Sequence, residues 1–420
     1  GTGGDHQRRD DFASVEVVDS QLINNKAQSG GGLGNQFGGY VKIASSVVSG
    51  NQANQGTQGG NGGGLSNYGW VNSETASDRM YTIIFVEDSN ITDNVAGQNG
   101  GGVSIDFFSD ALLVRTRVLR NNASKYGGGV CNTGSELSMS ECHISFNRVS
   151  ALESGGGGLT QANAQLGEVK ASPRTVLTSC TLQANNATNF GGGFYKLNGN
   201  ATLNSVAIIS NEAKSGGGLH SNSAAETTPG GLTAFSLQDF TLVIGSNITN
   251  NTAQYGAGVA NYGKRCVLQN GTLVSGNVLK RGMSPTVLSG GAGSAVYNIV
   301  PGGLSYVLPA AKGRYVDASF VCQKVHCDYD TCPQTCDWAE YQGRTMVQLP
   351  LTINGDYPPA CGKGFFGNDT RSEHQNTSRC SGICPLGHYC DDEPTFVPKE
   401  CPDGTFAFSL GLADEKDCAY

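Results

Sequence analysis

Residues 121–130 read NNASKYGGGV, and the run returns as NNKAQSGGGL from Asn24, NNATNFGGGF from Asn185, NEAKSGGGL from Asn211 and NNTAQYGAGV from Asn250. A phosphate cradle is built once and opens a helix, whereas a corner is built on every turn of a coil. The recurrence selects the corner. Aligned on the Asn two residues before the Ala, the repeats place Asn25, Asn51, Asn94, Asn121, Asn147, Asn185, Asn211, Asn251 and Asn277 in one column. Their spacings are 26, 43, 27, 26, 38, 26, 40 and 26 residues, so the basic period is 26 and three turns carry insertions.

The neighbouring columns are as regular. Three residues before the Asn all nine positions are aliphatic, from Leu22 and Val48 to Ile248 and Val274. Five before, they are nearly all small, as in Ser46, Thr116, Cys142 and Cys180. Eight before, only Gln269 breaks an apolar column. Side chains alternate along a strand, so positions −5 and −3 share a face, as do −10 and −8, with a bend between the pairs. Another apolar residue, such as Leu33, Val130 or Val259, follows the glycines. The pattern predicts three short strands per turn, stacked as a parallel β-helix at about 4.8 Å per rung, which makes nine rungs a rod of roughly 40 Å. The corner Asn is expected to bond backbone groups and the equivalent Asn of the next rung. The glycines are expected to supply backbone angles closed to other residues and close approach of neighbouring turns. A leucine-rich repeat shares part of this spacing, but it would put Leu at −5 and an apolar run in the second half of the period.

Composition agrees. Of 420 residues 61 are Gly, and Gly inside a helix costs about 1 kcal/mol relative to Ala, which argues against a mainly helical chain. No Gly-X-Y period points to collagen. The net charge is −8 with Lys and Arg scattered, so no basic stripe suggests nucleic acid or an anionic membrane surface. No run of apolar residues is long enough for a membrane span. No secretory signal stands at the start. Gly1-Thr2-Gly3-Gly4 reads as a coil corner and the chain stops just after Cys418, so a segment of a larger protein is expected.

Four cysteines precede residue 300, and ten lie between Cys322 and Cys418. C-x2-C pairs, which zinc knuckles favour, are absent, so the dense group reads as disulfides made in an oxidising compartment. The candidates are Cys322, Cys327, Cys332, Cys336, Cys361, Cys380, Cys384, Cys390, Cys401 and Cys418, with connectivity open. Cys142 and Cys180 share the −5 column on adjacent rungs, about 5 Å apart between Cα atoms, and read either as a disulfide or as two buried thiols.

The unit of an aliphatic residue, two spacers, Asn-x-Ala and Gly-Gly-Gly-[Leu/Val] resembles the repeats of chlamydial polymorphic outer-membrane proteins. More broadly, it resembles the pectin-lyase-like right-handed β-helix superfamily, over about residues 13–300. That family favours Phe three before the Asn and Gly-Gly-Ala after it, where this chain has Leu, Ile or Val and a third Gly. Cys361-Gly-Lys-Gly-Phe-Phe-Gly, Cys384-Pro-Leu-Gly-His-Tyr-Cys390 and Cys401-Pro-Asp-Gly-Thr-Phe resemble ephrin-receptor-like cysteine-rich repeats, which occur in long extracellular proteins. The resemblances imply an all-β chain: a right-handed parallel β-helix solenoid of about nine to ten coils, then a disulfide-rich, loop-dominated module. The expected domains are 1–300 for the β-helix, 301–321 for a segment covering the last rung, and 322–420 for the cysteine-rich module, incomplete at its end.

Three insertions, Ser66 to Met80, Thr160 to Arg174 and Ser221 to Leu232, fall between a glycine triad and the next strand, making that corner the best candidate binding edge. Sequons stand at Asn90, Asn122, Asn186, Asn200, Asn247, Asn250, Asn270, Asn368 and Asn376. Asn122 and Asn186 lie one residue past the column Asn, on a corner expected to face solvent. Enzymes of this fold that act on acidic polysaccharides need paired carboxylates, or carboxylates with Arg or Lys, on one outward strand face. Asp10-Asp11, Asp391-Asp392 and the dispersed His6, His143 and His220 form no such set. No catalytic residue, cofactor or metal site is expected. The expected function is that of a non-catalytic extracellular structural glycoprotein within a surface, wall or filament assembly. Its partners would be other protein chains, copies of itself among them, and N-linked glycans. The alternatives are an adhesin or carbohydrate-binding module using the insertion edge and, by fold analogy alone, a polysaccharide lyase or hydrolase.

Overall fold

The computed structural model describes residues 13–54, 60–71, 79–151, 154–166, 169–223, 225–227, 233–235, 239–263, 265–280, 293–300, 303–317, 346–391 and 394–419. They are almost all β, in long parallel sheets that form a β-helix solenoid. The chain divides into two compact units, residues 1–201 with 211–214, and residues 202–210 with 215–420.

One coil shows the plan. It has four strands, Tyr40–Ala44, Val47–Ser49, Gln52–Ala53 and Leu65–Tyr68. Each pairs in parallel with its counterpart one period on, Tyr40 with Ile83, Val47 with Asn90, Gln52 with Val95 and Leu65 with Val103. In the first unit the first sheet runs through Ser14–Val18, Tyr40–Ala44, Thr82–Glu87, Ser109–Val114, Glu136–Ser140 and Arg174–Thr178. In the second unit Thr241–Ile244, Cys266–Gln269 and Leu304–Val307 repeat it.

The expected columns are the core. Val48, Ile91, Val118, Ile144 and Leu182 pair in register and are 0% exposed. Each contributes roughly 1.5–3 kcal/mol by leaving water. The pairs at −10 and −8 face inward as well, as Ile84 with Val86 and Leu137 with Met139. The four-strand coil departs from the expected three. The extra strand is the two-residue piece after the column Asn, whose inward side is the Ala column, with Ala53 and Ala123 at 0% exposure. A two-residue strand leaves no alternation to read, so Asn-x-Ala looks like a corner only.

The corners use left-handed backbone more widely than the glycines suggest. The first Gly of each triad is left-handed, as at Gly30, Gly62, Gly100 and Gly127. So is the residue before each column Asn, including Asp93, Arg120, Phe146 and Ala184, and the residue six before it, including Asp88, Arg115 and Glu141. Each non-Gly residue there costs about 1 kcal/mol, tolerated because the turns above and below fix the bend. The second and third glycines meet a different demand. A Cβ at Gly128 would lie 2.4 Å from the Arg148 carbonyl, and one at Gly129 would lie 3.0 Å from Asn147 Nδ2.

The insertions form antiparallel hairpins after the fourth strand: Trp70–Val71 with Arg79–Met80, Ala164–Leu166 with Val169–Ala171, and Ala225–Thr227 with Thr233–Phe235. Ser66, Thr160 and Ser221, where the insertions were expected to begin, still belong to that strand.

The segment sealing the last coil is not the expected one. Leu304–Val307 is itself a strand of the stack, parallel to Cys266–Gln269. The edges are covered from residues 346–357. Met346–Gln348 pairs antiparallel with Leu304–Val307, Thr352–Ile353 with Val296–Asn298, and Tyr357 bridges Val274. Antiparallel pairing satisfies the edge groups without continuing the coil. Tyr306 is buried beneath, donating its hydroxyl to the Thr272 carbonyl at 3.1 Å. Arg314 donates to the Pro358 carbonyl and faces Asp356 at 3.9 Å. The cysteine count concealed this cover by assigning the whole stretch to the disulfide module.

Beyond it, disulfides join Cys361 to Cys380, Cys384 to Cys390 and Cys401 to Cys418. Cys322, Cys327, Cys332 and Cys336 lie outside the described residues, as do Asp10, Asp11, His6 and Asp392. Among the described residues no helix is long and apolar enough to cross a membrane.

Candidate functional site

The column asparagines form a closed hydrogen-bond system. Asn94 donates its backbone N–H and its Nδ2 to Asn121 Oδ1, at 2.9 and 3.0 Å. Asn121 donates likewise to Asn147 Oδ1, and its Nδ2 also reaches the Ile91 carbonyl at 2.9 Å. Both Oδ1 lone pairs and both Nδ2 protons are therefore used, and Asn121 is 1% exposed. The pattern holds from Asn25 through Asn51 and again at Asn147, Asn185 and Asn211, and between Asn251 and Asn277 in the second unit.

The −5 column is a second polar ladder. The Ser46 hydroxyl donates to the Ala44 carbonyl at 2.7 Å and accepts the Ser20 N–H at 3.0 Å. Cys142 and Cys180 follow the same pattern as Ser46. Each thiol lies 3.3 Å from the carbonyl two residues back, and the Cys142 N–H points to Cys180 Sγ at 3.5 Å. Of the two readings the pair takes the second, two buried thiols outside any disulfide, and Cys131 is a buried thiol as well. The hydrogen bond with Cys180, together with burial, holds the Cys142 thiol far above the usual range.

A third polar column escaped the sequence reading. Asn35 Nδ2 donates to Asn67 Oδ1 at 2.9 Å, and Asn261 Nδ2 to Asn298 Oδ1 at 2.9 Å. Its signal was present as a residue two past the first apolar position after the glycines, in Leu65-Ser66-Asn67, Val130-Cys131-Asn132 and Val259-Ala260-Asn261. On the outer side of the same sheet Asp106 is buried, accepts from Ser104 Oγ at 2.7 Å, and has its pKa pushed up to about 6 by burial. In the second unit His220 is buried, lies 3.1 Å from Ser215 Oγ and stacks on Tyr262, and burial pushes its pKa down to about 3. Both groups are shut from solvent, and burial keeps His220 neutral near pH 7. His143 is exposed on the outer face of the second sheet, in register with Arg117 and Thr181.

The sequons differ in exposure. Asn247, Asn250, Asn270 and Asn368 are exposed, whereas Asn90, Asn122, Asn186, Asn200 and Asn376 are half-buried. Asn122 departs from the solvent-facing expectation further, because its Oδ1 is buried and has no hydrogen-bond partner among the described residues.

Register also assembles a carboxylate set that reading by local motif missed. Asp110, Glu136 and Arg174 stand eleven residues before Asn121, Asn147 and Asn185, and pair side by side on the outer face of the first sheet. Glu136 lies 3.9 Å from Arg174, with side chains 66% and 60% exposed. Burial and the neighbouring Glu136 raise the pKa of half-buried Asp110. Two carboxyl groups side by side on one outward strand face are what glycoside chemistry uses, but that chemistry draws on a desolvated site, and Glu136 is open to water. In the second unit a cavity of about 330 Å³ is lined by Tyr315, Asp317, Leu349, Asp356 and Tyr357 among others. No family model, curated protein or solved structure matches the chain.

Proposed function

We propose that this chain is a non-catalytic structural element of an extracellular surface, wall or filament assembly. The reading is supported above all by what the repeated residues do. Column Asn, −5 hydroxyl and triad Gly each contact the next turn, so the recurring chemistry holds coil to coil and leaves no repeated side chain for turnover. Three disulfides and the absence, among the described residues, of a long apolar helix are compatible with an extracellular location. The resemblance to outer-membrane-protein repeats and ephrin-receptor-like repeats points the same way. In this reading the exposed sequons carry N-linked glycans, and the partners are other protein chains of the assembly, copies of this one among them. Immunogold electron microscopy of the native source tests it. Label along filaments or walls is expected, and label confined to a dispersed soluble fraction would contradict it.

A second reading, an adhesin or carbohydrate-binding module, is favoured by one observation. All three insertions fold into hairpins at the same place in the coil. Glycan-array binding that disappears when 164–171 is shortened would select it. Release of reducing or unsaturated ends from acidic polysaccharides would overturn both readings in favour of an enzyme.

A further inference from the structure

The outer face of the first sheet in the first unit has an apolar part and an acidic part side by side. Tyr40 pairs with Ile83, and Phe85 with Leu112 on one side and Lys42 on the other, all on the outward side; the Lys42 charge is already met by Glu16 at 3.1 Å and Glu87 at 3.4 Å. Leu112 is 42% exposed, and beside this sheet Tyr81 is 46% exposed with its ring packed edge-on against Phe108 at 6.4 Å. The corner carrying Phe108 is strained. Phe107 and Phe108 are both left-handed, at φ 46° and 50°, where a neighbouring coil uses Gly134. Strain of this kind costs of order 1–3 kcal/mol per residue and gathers at binding surfaces.

The acidic part follows in register. Ile83 is succeeded on the next strands by Asp110 and then Glu136. Among the described residues Asp110 forms no ion pair and has Glu136, of like charge, beside it. Among the described residues Glu136 has only Arg174 as an ion-pair partner, at 3.9 Å. Two neighbouring carboxylates with so little counter-charge, bordering an exposed apolar strip, are complementary to a cation attached to an apolar chain.

We propose that this face, from Tyr40 to Glu136, binds a segment of another polypeptide in which apolar side chains are followed by Lys or Arg. The apolar side chains cover Ile83, Phe85 and Leu112, and the cation lies between Asp110 and Glu136. This deepens the assembly reading, on which it rests for the partner being a protein.

The test uses two synthetic ten-residue peptides of equal leucine content, one with three lysines and one with three glutamates. Binding to the whole chain is followed by fluorescence anisotropy. The lysine peptide should bind at least about tenfold tighter than the glutamate peptide and weaken with salt. The paired change Asp110→Asn with Glu136→Gln should cost about tenfold, and Leu112→Ser alone should also weaken binding. The paired change Glu400→Gln with Asp403→Asn removes the same charge elsewhere and should leave affinity unchanged. Unchanged far-ultraviolet circular dichroism separates lost binding from lost folding. Equal losses in the two paired variants would overturn the proposal, because the peptide would then sense net charge alone. So would equal binding of the two peptides, or binding of a neutral oligosaccharide in place of either. Such failures leave the assembly reading to its own microscopy, which does not depend on this face.

Discussion

In the coils, a buried amide such as Asn121 makes the same hydrogen bonds as its copies above and below. Between Cys361 and Cys418 the described residues form no such ladder. Three disulfides hold short loops, while Phe396, Val397, Phe406, Phe408 and Leu410 stay 45–70% exposed. Both regions must offset about 1–2 kcal/mol of backbone entropy per ordered residue. The coils do it with burial and pairing that every turn renews. The terminal segment, which buries few apolar side chains, does it largely by restricting its unfolded state. Stability is therefore distributed along the coils and concentrated in three covalent bonds at the end.

Reduction should separate the two most sharply. Each disulfide contributes about 2–5 kcal/mol, so dithiothreitol should abolish hydrogen-exchange protection in 361–418 while protection of 40–178 persists. Loss of protection in both would mean that the coils depend on the disulfides.

Acid should act on the coils in two opposed ways. The folded pKa of His220 lies near 3, below its usual 6.5, so its stabilising contribution is present above pH 6.5 and is lost as pH falls toward 3, about 5 kcal/mol in all. The folded pKa of Asp106 lies near 6, above its usual 3.8, so its contribution is present below pH 4 and lost as pH rises through 6, about 3 kcal/mol. Denaturant titrations of His220→Gln and Asp106→Asn between pH 3 and 7 should each flatten one slope, in opposite directions. In the terminal segment the pairs Asp369 with Arg371 and Asp414 with Lys416 are more exposed and should add little.

Asn121→Ala removes three hydrogen bonds to the preceding turn, from the Asn94 N–H and Nδ2 and to the Ile91 carbonyl, and one to Asn147 of the next. It leaves the Asn94 backbone N–H unpaired in the interior, so a loss of roughly 3 kcal/mol is expected by urea denaturation. The smallest effect is expected at Cys142→Ser, under about 1 kcal/mol, since Ser already fills this column at Ser46 and Ser89. That near-neutrality would set the coil cysteines apart from those at 361–418, where any Cys→Ser change breaks a disulfide.

The same contrast explains what the sequence disclosed. Periodicity is visible because every turn must satisfy one set of neighbours, so the Asn, aliphatic and Gly columns of the coils could be read directly. What it hid was outside that repetition. Residues 346–357 cover three sheet edges once, by backbone pairing that any non-Pro residue can supply. The left-handed backbone at Arg120 or Phe146 is imposed by adjacent turns, and intrinsic preference at those residues points elsewhere. Asp110 and Glu136 stand 26 residues apart and become neighbours only once the register is imposed, which a search for local acidic motifs cannot do.

Stacking in register is best tested by methyl–methyl nuclear Overhauser effects in a sample labelled at Ile, Leu and Val. Cross-peaks are expected from Ile91 to Val118, Val118 to Ile144 and Ile144 to Leu182, with Ile91 to Leu182 silent. A direct Ile91–Leu182 contact, or a Val118 whose neighbours are neither Ile91 nor Ile144, would contradict the vertical columns on which the fold is built.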